Sequence, residues 1–110
     1  MKVYHPAAVA RMAVRAHPDR PAVSLIHDGP DARLVVFRIA AGQSVPPHTS
    51  TSTVLLHIVS GAGLVSGNGG ELEVSAGMVI AYEPREPHGM RAEREGLTLL
   101  AVIAPRPASR

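Results

Sequence analysis

The stretch GQSVPPHTSTSTVLLHIVSG, residues 42–61, decides how the chain is read. Pro46 and Pro47 lack the N–H that a strand ladder needs, so the run from Val45 to His48 is expected to be irregular. Five hydroxyl residues, 49–53, continue as loop chemistry. Residues 53–59, TVLLHIV, are then β-branched and apolar, as a buried strand requires. Ser60 and Gly61 stop that strand.

The same texture runs outward in both directions. Upstream, AVSLIH (22–27) and RLVVFRI (33–39) are β-rich and are separated by Asp28-Gly29-Pro30-Asp31. Downstream come a brief run at 64–66, the hairpin signal Gly67-Asn68-Gly69-Gly70, and the alternating ELEVS at 71–75. Residues 78–82, 88–92 and 97–104 complete the series. Eight short strands with turn signals between them, and no helical pattern separating them, predict an all-β antiparallel sandwich or barrel. Only residues 7–16 have helical spacing, through Val9, Met12, Ala13 and Ala16, and His17-Pro18 would end any helix there. An extended arm is the alternative. The expected organisation is an N-terminal arm or short helix at 1–21, a barrel at 22–104 and a Pro/Arg-rich tail at 105–110.

The chain has 110 residues, which suits one domain. Apolar residues make up 45% but aromatics only 3%, so Val, Leu, Ile and Ala must build the core. The net charge is +2, and the Lys and Arg residues are scattered, so no nucleic-acid stripe is present. Arg106 and Arg110 are expected to be solvated in the tail. Without cysteine there is no disulfide and no thiolate metal site. The first residues lack the apolar core of a signal peptide, and no run approaches a membrane span. A cytoplasmic protein is expected. A barrel's sheet edges need cover, and a homodimer would supply it.

Six histidines are the informative count. His5, His17 and His27 read as surface or loop residues. His48, His57 and His88 each sit in or beside a β-run, and strands meeting at a barrel mouth can aim several imidazoles at one point.

Gly42-Gln43-Ser44-Val45-Pro46-Pro47-His48, followed by a β-run ending at Gly61, resembles the first motif of the cupin superfamily. Gly77 to His88, with Pro84 and Pro87 between, resembles the second. The resemblance covers about residues 32–104 and implies a double-stranded β-helix, or jelly-roll, barrel. It also implies metal-ligand positions at residues 48, 50, 54 and 88. Here Ser50 and Val54 stand where a second His and a Glu are usual, so His48 and His88 are what remains by motif.

His57 lies three residues after Val54. In an unbroken strand the two point oppositely, and a bulge would reverse this. If His48, His57 and His88 converge, they form an open site for one divalent transition metal, Zn, Ni, Fe, Mn or Cu. Tyr82, Phe37 and Met90 are candidate pocket residues beside His48 and His88. Met78, Met90 and Phe37 read as core or pocket lining, and Glu83, Arg85 and Glu86 as a solvated loop. Ser50 near His48 makes no triad. Two functions follow: a cupin with a partial or absent metal site that binds a small apolar or carbohydrate-like molecule in its pocket or acts as a sensor or partner module, or a metal-dependent dioxygenase- or isomerase-like enzyme using the three histidines.

Overall fold

A computed structural model describes residues 1–13 and 19–107. Its elements are α1 (Pro6–Met12), β1 (Ala22–Asp28), β2 (Arg33–Ile39), β3 (Ser44–His48), β4 (Thr53–Gly67), β5 (Gly70–Ser75), β6 (Val79–Tyr82), β7 (His88–Arg91) and β8 (Leu97–Ala104). Every strand pairing among them is antiparallel. They form two sheets that share β4. One runs β1-β2-β8-β4-β6. The other runs β3-β7-β4-β5.

β4 crosses from the first sheet to the second at Gly61. Its residues 53–61 pair with β8, and its residues 62–67 pair with β5. The register shifts between Ile58 and Ser60, and Gly61 has φ 81. Any Cβ on Gly61 would overlap the Gly96 carbonyl, so the corner needs glycine. The expected strands at 53–59 and 64–66 are therefore one long strand bent at Gly61.

The loop expected at 45–48 is instead part of β3. The register steps from Val45↔Met90 to His48↔His88, three residues on β3 against two on β7. The extra residue is a bulge at Pro46-Pro47, where the missing N–H groups cost no ladder bond.

Alternation along β4 sends Val54, Leu56 and Ile58 inward. They meet Ile103, Ala101 and Leu99 of β8, and beyond these Val35 and Phe37 of β2. Ile39, Leu56, Ile58, Leu97 and Leu99 are essentially inaccessible. Aliphatic side chains thus fill the barrel, and dispersion across this packed interior accounts for the fold's cohesion despite so few aromatics.

α1 lies on the outer face of the first sheet. Pro6 opens it, where a missing N–H costs nothing. Ala10 is its buried residue, while Met12 is exposed, so the helix docks through a different face from the one its spacing suggested. Ala13 is extended, and residues 14–16 of the expected helix lie outside the described residues. The tail is tethered as far as Arg106, which is exposed as expected. Ser52 Oγ donates to the Pro105 carbonyl at 2.6 Å, and Arg106 Nε lies 3.1 Å from Asp28 Oδ1. Arg110 lies outside the described residues.

Candidate functional site

The bulge in β3 decides where His48 goes. Val45 opposes Met90 on the inner face, and three regular residues later a side chain would face outward. The added residue turns His48 back to the inner face, opposite His88. The two ring centroids are 4.2 Å apart, at an interplanar angle of 63°. His88 is buried and His48 is exposed, so the pair spans from barrel wall to solvent.

Each imidazole is aimed by the same local device. His48 Nδ1 lies 3.1 Å from the Pro46 carbonyl, and His88 Nδ1 lies 3.2 Å from the Glu86 carbonyl. A carbonyl only accepts, so Nδ1–H is the donor and Nε2 keeps its lone pair in both rings. In each case the residue between is a proline, Pro47 or Pro87. Proline holds the preceding residue extended, which fixes the direction of that carbonyl.

Tyr82 completes the site. Its ring centroid is 5.2 Å from that of His88. Its hydroxyl donates to the Ser66 carbonyl at 2.8 Å, tying β6 of one sheet to the end of β4 in the other. Burial, with the nearby Glu86 carboxylate, pushes this phenol up to about 12, so it stays a donor at neutral pH. His88 is held below its ordinary value, chiefly by burial. The Glu86 carbonyl and carboxylate oppose that shift and His48 adds to it. His88 is therefore neutral at neutral pH.

The flanking loops are pinned together. Ser50 Oγ accepts the Ser52 N–H at 3.1 Å, and the Ser50 carbonyl accepts the Arg85 N–H at 2.7 Å. The Ser50 hydroxyl thus serves the loop. Glu86 is more than a solvated loop residue, since its carbonyl orients His88 and its carboxylate Oε1 accepts the Glu83 N–H. The two Xaa-Pro-His tripeptides, 46–48 and 86–88, are the sequence signal that would have revealed both orienting carbonyls.

The other expected residues divide. Met90 is buried on the inner face, two residues from His88, and belongs with the site. Phe37 does not. It lies in the row of Leu99 and Ile58, whereas Tyr82 lies in the row of Val54, four residues or ~13 Å along β4. His57 is exposed and pairs with Val79 and Leu100 on the outer face, because β4 is regular from Val54 to His57. The bulge that would have turned it inward comes one residue later. His5 is exposed, His27 Nδ1 bonds Tyr4 at 3.1 Å, and His17 lies outside the described residues.

The donor set tests the metal expectation. The two Nε2 lone pairs suit a metal, but position 54 is a buried Val, position 50 is engaged in its loop, and His57 faces away. Among the described residues no three His, Cys, Asp or Glu side chains group to hold an ion. Two imidazoles fall short of the three protein ligands of an open catalytic centre. Nor is the interior a deep greasy pocket, since core side chains occupy it. A cleft of about 230 Å³ is lined by residues that flank the pair, Pro46, Pro47, Gly89 and Met90, and one of about 680 Å³ sits beside Glu73 and Glu93.

The sequence matches the cupin domain family over residues 35–103. Solved structures resemble the whole chain. An uncharacterized Klebsiella pneumoniae protein with a double-stranded β-helix domain aligns with TM-score 0.84 at 22% identity, over 99% of this chain and 94% of its own. A Thermus thermophilus protein aligns at 0.85 and 23%, over 97% and 100%. An RmlC-like cupin from Desulfovibrio desulfuricans aligns at 0.80 and 28%, over 96% and 97%. No curated protein matches the sequence.

Proposed function

The chain belongs to the cupin domain family, and from that premise we propose that it binds a small molecule at the barrel mouth through His48 and His88. The observation that carries this reading is the shared orientation of the pair. Both Nδ1 atoms are spent on backbone carbonyls, so in the neutral form of each ring Nε2 is left as an acceptor beside the mouth.

That donor set selects a ligand chemistry. Two acceptors favour a molecule with O–H or N–H donors. Val54, Met90 and Tyr82 are buried in the core behind the pair, so half-buried Ile103 and the exposed His48 ring are what this face leaves for contact. A small diol, dihydric phenol or primary amide with an apolar body has the two donor hydrogens that this combination asks for. A formal anion does not, because acceptors repel it. Donating to both imidazoles is worth about 1 kcal/mol per bond, so weak binding, of millimolar order or weaker, is expected for a fragment-sized ligand.

The test is a ligand-observed NMR screen of small phenols, alcohols, amides and carboxylates against the wild type, His48→Ala and His88→Ala. Phenol or amide hits lost in both variants support the reading. Hits that persist in both, or hits confined to carboxylates, overturn it.

A further inference from the structure

Gln43, Ser52 and His88 are buried polar side chains. Gln43 ties the end of β2 to the backbone at Ala40 and Arg20, and His88 belongs to the site. Ser52 serves neither purpose, yet it is only 2% exposed. A buried hydroxyl has to be hydrogen-bonded, and the bonds of Ser52 form part of a chain. Ser52 Oγ donates to the Pro105 carbonyl at 2.6 Å, and the Ser52 N–H donates to Ser50 Oγ at 3.1 Å. The Ser50 carbonyl accepts the Arg85 N–H at 2.7 Å. Three segments distant in sequence are thereby joined: the tail, the loop at 49–52 and the loop at 83–87. The first loop directly follows His48, and the second directly precedes His88.

The last link is kept against a backbone cost. Glu83, Pro84, Arg85 and Glu86 make a turn, closed by the Glu86 N–H on the Glu83 carbonyl at 3.1 Å. Arg85 is its third residue, with φ 68, a conformation that ordinarily calls for glycine. Another residue stays there only where its surroundings over-determine it, and the Ser50 carbonyl on its N–H is such a constraint. The tail end of the chain is held as well, since Arg106 Nε lies 3.1 Å from Asp28 Oδ1.

We propose that Ser52 is a positioning residue, through which the tail at 105–106 holds the two loops at the spacing that brings His48 against His88. Its functional meaning rests on the reading of that pair as the ligand site. The ladder alone leaves the spacing loose. β3 pairs only with β7, and His48 against His88 is the last step of that pairing. Beyond it the chain has no strand partner until Thr53.

The test is read by NMR on the full chain without ligand, so a failure of the ligand-site reading is seen separately. The wild type is expected to show a nuclear Overhauser contact between the carbon-bound ring protons of His48 and His88. Ser52→Ala removes the donor to Pro105 and is expected to lose that contact. Ser52→Thr keeps the hydroxyl and is expected to retain it. Ser50→Ala cuts the next link at a half-buried loop position, and its expected loss of the contact decides the matter if Ser52→Ala does not fold. Far-UV circular dichroism and core amide shifts unchanged from the wild type would show that the loss is local. A ring contact that persists in folded Ser52→Ala or in Ser50→Ala would overturn the proposal. So would its loss in folded Ser52→Thr to the same extent as in Ser52→Ala.

Discussion

His48 and His88 face one another across β3 and β7 with ring centroids 4.2 Å apart, and an extra residue in β3 puts them there. Their proximity has an electrostatic consequence. His48 depresses the protonation of His88, and its ring covers part of His88 from water. Replacing His48 by Ala removes both effects. The His88 pKa is therefore expected to rise toward 6.5 in His48→Ala, as read by NMR titration of the ring carbons. An unchanged or lower value would mean that the two rings are not in contact.

The tautomers are a separate expectation. With Nδ1–H donating to the Pro46 and Glu86 carbonyls, both rings carry the Nδ1–H form when neutral. Long-range ¹H–¹⁵N correlation at pH 8 is expected to show the unprotonated nitrogen at Nε2 in His48 and His88. The opposite tautomer in either ring would remove a free acceptor from the mouth.

Acidification should destabilise the fold through His88. Its pKa is lowered by folding, so between the unfolded value of 6.5 and the lower folded value the unfolded chain binds the extra proton. Stability is thus full above pH 6.5 and falls as pH drops below it. Chemical denaturation at several pH values is expected to show this loss, with a shallower dependence in His88→Gln. An equal slope in the variant would assign the effect to other groups.

Two glycines with positive φ separate conformational cost from steric cost. At Gly77, φ is 96 and a Cβ meets nothing within 4 Å, so Gly77→Ala should cost about 1 kcal/mol for the backbone alone. At Gly61 the Cβ also meets the Gly96 carbonyl, so Gly61→Ala should cost more than about 3 kcal/mol or prevent folding. Equal urea midpoints for the two variants would contradict the corner assigned to Gly61.

Much of this architecture was readable in the residues. Turn chemistry at 28–31, 67–70 and 83–87, with β-branched runs between, gives the all-β antiparallel character, whereas the count of eight agrees only because the joining of 53–59 with 64–66 is offset by the unexpected β3. The bend of β4 was not readable, because Gly61 looks the same in sequence whether it ends a strand or turns a corner; only the approach of Gly96 distinguishes them. The pairing of residues 48 and 88 followed from the resemblance to the two cupin motifs, since spacing alone gives the two residues no common geometry. The outward turn of His57 hung on one bulge, which sits at 58–60 rather than before residue 57. Phe37 read as core or pocket lining, and it packs on the core; inward alternation says which face a side chain takes, and long-range register alone says how far along the barrel it lies. The orienting carbonyls of Pro46 and Glu86 belong to backbone groups, which composition and side-chain motifs do not report.

The central claim is that His48 and His88 form a two-acceptor ligand site whose donor set is too small for a resident metal. Metal analysis of protein purified without a chelating tag, then incubated with Fe(II), Mn(II), Ni(II), Zn(II) and Cu(II) and desalted, tests it most directly. Well under one metal per chain is expected, with no further loss in His48→Ala or His88→Ala. Near-stoichiometric metal in the wild type that disappears in both variants would contradict the claim.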